Sequence, residues 1–215
     1  MDKQNKIIVI GIGPGNPDYI VPKGLQAIRQ ARFLVGGRRA LSQFAQKSQE
    51  TCPITADIQG VMHFIQARVK QAAVIVMVSG DPGYYSLLDA LRREFPVEQL
   101  AVIPGISAMQ YAFARLSLPW HDAVLASFHG RVPAAEAIAF APDKVLGMLT
   151  DSRYNSQSIA RYLIDRGWPE TSRLHICSRL SYEDEEILHT TLQGALQMAV
   201  KSACILILEA GSSHT

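Results

Sequence analysis

The chain predicts an α/β protein made of two α/β halves. Apolar runs of strand length alternate with stretches of helical periodicity along the whole sequence. A break at Leu118-Pro119-Trp120-His121-Asp122 separates two halves of similar composition, so the domains are expected at 1–118 and 119–215. The first apolar run leads into the glycine-rich segment Gly11–Asp18, the kind of loop that α/β sheets place at a strand's carboxyl end.

Ile7–Ile10 is four apolar residues in a row, a buried parallel strand. Pro22–Ala31 has helical spacing, with Pro22 suited to the first turn. Ala31–Val35 reads as a short strand, Arg38–Ala45 as a helix, and Val61–Gln71 as a helix with an apolar face. Ala73–Val78 is a continuous buried strand ending at Ser79, and Tyr84–Glu94 is helical. Ala101–Ile103 is a strand stopped by Pro104-Gly105, with a helix over Ser107–Leu116. The second half reads as strands at Val124–Phe128, Val145–Leu149, Arg173–Cys177 and Ala203–Glu209. Its helices fall at Ala134–Ala141, Ser156–Arg166 and Thr191–Lys201, with an acidic stretch at Glu183–Glu186.

Composition excludes several classes. With 215 residues, 48% hydrophobic and 19% charged, the chain can bury a sizeable core. A formal charge of +2 points to neither nucleic acid nor a membrane surface. No apolar run is long enough to span a bilayer. Met1–Lys6 is polar and leads directly into a strand, so no signal peptide is expected and the chain reads as cytoplasmic. Cys52, Cys177 and Cys204 are far apart and odd in number, as free thiols in a reducing compartment would be. The six histidines, His214 among them, are scattered, and no protein-held metal is expected.

The first glycine loop comes near a dinucleotide fingerprint and departs from it. Asn16 stands where the third glycine belongs, and Pro14 has no N–H to offer a phosphate. The strand Ala31–Val35 leads into Gly36-Gly37-Arg38-Arg39 instead of an acidic residue. A nucleotide-binding dehydrogenase is therefore disfavoured. Two more strand ends carry unusual loops, Ser79-Gly80-Asp81-Pro82-Gly83-Tyr84-Tyr85 and Pro104-Gly105-Ile106-Ser107-Ala108. Any one of them alone reads as a tight turn; three in one half favour a shared site. A non-catalytic binding protein would need neither Asp81 nor the Pro104–Ala108 loop.

The set G-x-G-P-G-x-P-D, G-D-P and P-G-I-S-A, over most of the chain, resembles the tetrapyrrole methylases. That resemblance implies two α/β domains with S-adenosylmethionine held in the cleft between them, and a homodimer. By position it implies cofactor contacts at Pro14, Asp81, Tyr84, Ser107 and Ala108, with Gly80 and Pro82 shaping the same loop. In the second half it implies contacts at Thr150 and Thr190, where relatives of Thr190 often carry glycine.

Further stretches resemble the precorrin-7 (cobalt-precorrin-7) C5-methyltransferases within that family. They are Gly36–Leu41, Ser127-Phe128-His129-Gly130-Arg131 and Leu180–Glu185. The resemblance implies a standalone C5 enzyme of corrin-ring synthesis, with the C15-methylating decarboxylase as a separate protein. A methylase of the same family acting at another ring position is the alternative. A corrin precursor carries many carboxylates, and arginines bind carboxylates by charge-assisted hydrogen bonds. Arg131 is the candidate for that contact, Arg38 and Arg39 reading as readily as a solvated helix start, while His129 is the candidate for orienting the ring or handling a proton.

Overall fold

A computed structural model describes residues 5–201 and 203–211. Met1–Gln4 and His214, which the sequence reading touched, lie outside them. The chain forms two compact units, divided between Ser107 and Ala108. Each contains one five-stranded sheet.

The first unit carries β1 (Ile7–Gly11), α1 (Pro22–Gln30), β2 (Phe33–Gly36), α2 (Arg38–Phe44) and β3 (Glu50–Pro53). It continues through α3 (Ile58–Arg68), β4 (Val74–Val78), α4 (Leu88–Glu94) and β5 (Leu100–Ile103). The strand order is β3-β2-β4-β1-β5 and every pairing is parallel. Parallel strands need crossover helices, which cover both faces. One face packs Val9, Phe33, Val35 and Val76 against Val61 and Ile65 of α3 and Leu91 of α4. The other packs Ile10, Leu34, Ile75 and Met77 against Ile28 of α1 and Ala40 of α2. Burial of each large side chain stabilises the unit by roughly 1.5–3 kcal/mol.

The second unit carries α5 (Ala108–Arg115), β6 (Val124–Ser127), α6 (Ala135–Ile138), β7 (Val145–Leu149) and α7 (Ser156–Ile164). It ends with β8 (Arg173–Ser178), β9 (Glu186–Thr191), α8 (Leu192–Ala195) and β10 (Ile205–Glu209). The order β6-β7-β10-β8-β9 is mixed. β6 and β7 are parallel, while β10 runs antiparallel to both β7 and β8, and β9 is antiparallel to β8. One face packs Leu146, Met148, Leu174, Ile176, Leu206 and Leu208 against Ile159 and Leu163 of α7. On the other face α5 sits close to the sheet. A Cβ at Gly147 would lie 2.6 Å from the Met109 sulfur and 3.0 Å from the Phe113 ring. Glycine in β7 thus sets the approach of this helix.

Several elements differ from expectation. The helix after the Pro104–Ala108 loop belongs to the second unit, because its side chains pack on the second sheet; the sequence division at 118 and 119 had placed it in the first. The helix expected over Tyr84–Glu94 starts only at Leu88, because Asp81–Leu87 forms a braced turn. The helix expected over Thr191–Lys201 is the single turn Leu192–Ala195, and that over Ala134–Ala141 shrinks to Ala135–Ile138. Strands β3 and β9 were not anticipated. Among the described residues no helix is long and apolar enough to cross a membrane.

Candidate active site

In the first unit the loops after β1, β4 and β5 leave from neighbouring strands at one sheet edge. The loops after β1 and β4 are joined by a pair of backbone hydrogen bonds. Gly13 N–H donates to the Gly80 carbonyl at 3.3 Å, and Gly80 N–H donates to the Gly13 carbonyl at 2.8 Å. The three backbones cross without room for side chains. A Cβ at Gly11 would lie 2.5 Å from the Gly80 oxygen and 2.7 Å from the Gly105 nitrogen. A Cβ at Gly105 would lie 2.4 Å from the same Gly80 oxygen. The glycines of all three motifs are therefore one structural device.

Asp81 ties that crossing together. One carboxylate oxygen accepts the N–H of Gly83 at 2.8 Å, closing its own turn. The other accepts the N–H of Gly105 at 3.0 Å, reaching the loop after β5. Each oxygen keeps a second lone pair. The Ser86 hydroxyl then donates to the Pro82 carbonyl at 2.5 Å and accepts the Leu88 N–H, joining the turn to α4. Tyr84 and Tyr85 meet edge to face at 4.8 Å, with Tyr85 half exposed and left-handed at φ 52°. Beside this turn lies a cavity of about 510 Å³, lined by Ile12, Arg39, Met77, Ser79, Tyr85 and Ser86 among others.

In the second unit the carboxyl ends of β6, β7 and β8 and the start of β10 share one edge. Asp151 plays the role there that Asp81 plays in the first unit. One oxygen accepts the N–H groups of Arg153 and Tyr154 at 2.8 and 2.6 Å, and the other accepts the Gly130 N–H at 2.7 Å. The N–H groups of Gly130 and Tyr154, chief among several donors, hold its carboxyl below the usual range. His129 and Arg131, both exposed, flank the glycine so anchored. His129 Nδ1 lies 3.4 Å from the Thr150 carbonyl.

The Thr150 hydroxyl is committed to structure. It donates to the Cys204 carbonyl at 2.8 Å and accepts the Cys204 N–H at 2.8 Å, pinning the start of β10 to the end of β7. Burial pushes the Cys177 thiol up to about 12 and raises Cys204, so neither is an activated nucleophile.

The structure gathers Pro14, Gly80, Asp81, Pro82, Tyr84 and Ser107 at the carboxyl edge of the first sheet. It places His129, Arg131 and Thr150 at the corresponding edge of the second, and Ala108 at the first turn of α5. Thr190 departs from that pattern. It pairs with Leu174, in the register row of Leu208 and Leu146, whereas Thr150 lies one residue beyond Leu149. The two are four rows apart, roughly 13 Å along the strands, with Thr190 toward the opposite edge. The β8 end of the shared edge is Ser178–Ser181, which overlaps the stretch Leu180–Glu185 only at Leu180 and Ser181. Ser178 carries a buried hydroxyl with no hydrogen-bond partner among the described residues, and Arg179 and Ser181 have left-handed backbones. Asp151 was also missed, although Asp-Ser after a strand is an Asx-turn signal. Among the described residues no group of three His, Cys, Asp or Glu side chains is arranged to hold a metal.

Comparison with known proteins places this geometry. The chain is 33% identical to a cobalt-precorrin-7 C(5)-methyltransferase of Salmonella typhimurium, over 94% of this chain and 98% of the relative. Two solved structures share the fold. A cobalt precorrin-4 methyltransferase superposes with a TM-score of 0.78 at 18% identity, covering 94% of each chain. A uroporphyrin-III C-methyltransferase from Thermus thermophilus, complexed with S-adenosyl homocysteine, superposes at 0.73 with 20% identity, covering 95% of this chain and 92% of its own. The family model described as Tetrapyrrole (Corrin/Porphyrin) Methylases matches residues 6–196. The glycine crossing, the two carboxylate-braced edges and that match over most of the sequence lead to one assignment: the chain belongs to the tetrapyrrole methylase family.

Proposed function

We propose that this protein is an S-adenosylmethionine-dependent C-methyltransferase that methylates C5 of precorrin-7 or its cobalt form during corrin-ring synthesis. The observation that carries the substrate is the full-length likeness to the Salmonella enzyme. The first-unit edge fits a sulfonium amino-acid nucleoside better than a dinucleotide. Pro14 presents no N–H where a pyrophosphate would sit, and the free lone pairs of Asp81 suit hydroxyl or ammonium donors.

Bound S-adenosylmethionine supplies an electrophilic methyl group on a charged sulfonium. The chain's own task is alignment, for which up to about 7–11 kcal/mol is available in principle. The loops around Gly80, Asp81, Tyr84 and Ser107 hold the cofactor. Arg131 binds a tetrapyrrole carboxylate and His129 orients the ring or takes a proton. Arg39, in the 510 Å³ cavity, is a second cation for the acidic side chains of the substrate. Loops that exclude water destabilise the charged donor relative to the neutral thioether product. A homodimer, and a separate protein for the C15 step, complete the proposal.

The deciding experiment incubates the protein with S-adenosylmethionine and either precorrin-7 or cobalt-precorrin-7. A product heavier by one methyl, with the new carbon placed at C5 by NMR, supports the reading. Methylation at another carbon replaces the substrate and keeps the family chemistry. For the residue roles, Arg131→Ala is expected to raise the tetrapyrrole KM while S-adenosylhomocysteine affinity stays near wild type.

A further inference from the structure

The turn between β8 and β9 is held in an unusual conformation. Arg179 and Ser181 have φ of 53° and 68°, a left-handed region that residues with a Cβ rarely hold. Such a backbone persists only where its surroundings impose it. Glu185 is one of the groups that hold it, through Ser181. One carboxylate oxygen accepts the Ser181 N–H at 2.7 Å, and the other accepts Arg115 Nε–H at 2.6 Å. The Tyr111 hydroxyl donates to the same carboxylate. Only 14% of the Glu185 side chain is exposed. Burial is the largest single influence on its carboxyl and pushes it up, yet the Ser181, Arg115 and Tyr111 donors together hold it below the usual range. A second brace joins Arg179 Nε to Asp184 at 2.8 Å, with the guanidinium 4.5 Å from the centre of the Tyr182 ring.

The location gives the brace a functional meaning. Tyr111 and Arg115 stand one turn apart on α5, whose first residue, Ala108, is a candidate cofactor contact. The strained turn lies at the same sheet edge as Thr150, on the side of β7 away from β6 and His129. We propose that Glu185 is a positioning residue for the cofactor site, holding the Arg179–Ser181 turn in its left-handed form against the helix that opens at Ala108. This rests on the reading that the protein binds S-adenosylmethionine.

Calorimetric titration with S-adenosylhomocysteine, together with tetrapyrrole kinetics, tests it. Wild type binds. Glu185→Ala is expected to lose about tenfold or more in affinity, while the tetrapyrrole KM stays within about twofold. Glu185→Gln keeps an acceptor for the Ser181 N–H but loses the charge facing Arg115, so its loss is intermediate. Ser181→Gly added to Glu185→Ala recovers part of the affinity, because glycine holds this φ at little cost. A Glu185→Ala protein that is less stable to denaturant but binds normally would overturn the assignment. So would a raised tetrapyrrole KM with unchanged cofactor affinity. If Glu185→Ala does not fold, unchanged affinity in Glu185→Gln has the same force. Wild type that fails to bind S-adenosylhomocysteine would sink the cofactor reading itself, a result separate from any behaviour of the variants.

Discussion

The two units brace their carboxyl edges with the same device, applied to very different backbones. Asp81 and Asp151 each use one oxygen to close their own turn and the other to capture a glycine N–H from a neighbouring loop. In the first unit the captured glycine is wedged. Gly105 and Gly11 leave no space for a Cβ, so the carboxylate reinforces a crossing that sterics already dictate. In the second unit the captured Gly130 has nothing within 4 Å of its would-be Cβ. There the carboxylate restrains the loop that carries His129 and Arg131 together with the Ser127 hydroxyl, which accepts the His129 N–H. One edge is rigid by packing, the other by hydrogen bonds to a charge.

That contrast can be broken most easily at the two captured glycines. Gly105→Ala is expected to cost about 3 kcal/mol or more, since the clash is with backbone on two sides. Denaturant unfolding of the whole chain measures it. Asp81→Ala should come next, weakening S-adenosylhomocysteine binding by about 1–3 kcal/mol as the turn loosens. Unchanged affinity in a folded Asp81→Ala protein would show that the glycine crossing needs no charge. Gly130→Ala should cost only about 1–2 kcal/mol, the penalty of a left-handed φ of 69° without a clash. A cost equal to that of Gly105→Ala would abolish the distinction.

The smallest effect is in acid. Asp151, Asp184 and Glu185 are all held below their ordinary values. A depressed folded-state pKa contributes stability above the unfolded value and loses it as pH falls through the folded one. The second unit should therefore weaken below the ordinary carboxylate range. Asp151→Asn should flatten the slope of stability as pH falls from about 5 through the ordinary carboxylate range and below it. Identical slopes for the variant and wild type would remove Asp151 as a restraint.

Much of the rigid edge was legible in the sequence, because packing leaves its mark on residue type. Continuous apolar runs marked β1 and β4, and three glycine-bearing loops marked their meeting point. The hydrogen-bonded edge was harder to read. Its braces are single acidic residues whose partners lie far along the chain, such as Arg115 for Glu185. β3 escaped because Glu-Thr-Cys-Pro is an edge strand with little to bury, its Glu50 paired with Arg68 of α3. β9 escaped because its start was read with the acidic stretch Glu183–Glu186. Thr190 was carried over by motif alone, and the strand register that sets it apart from Thr150 has no local signature.

The position of β10 has a consequence for how the chain acquires its structure. In the first sheet the joining strand is β4, which pairs with both β1 and β2 and is followed by β5. In the second sheet the strand lying between β7 and β8 is the last. Until β10 arrives, β6–β7 and β8–β9 are two separate ribbons with open inner edges and no ladder between them. Their joining depends on contacts spanning 54 positions, such as Thr150 with Cys204, and such closure is slow relative to local pairing. A nascent or truncated chain lacking β10 would expose two adhesive strand edges at once, an exposure that lasts in the second unit until the final strand of its sheet is made.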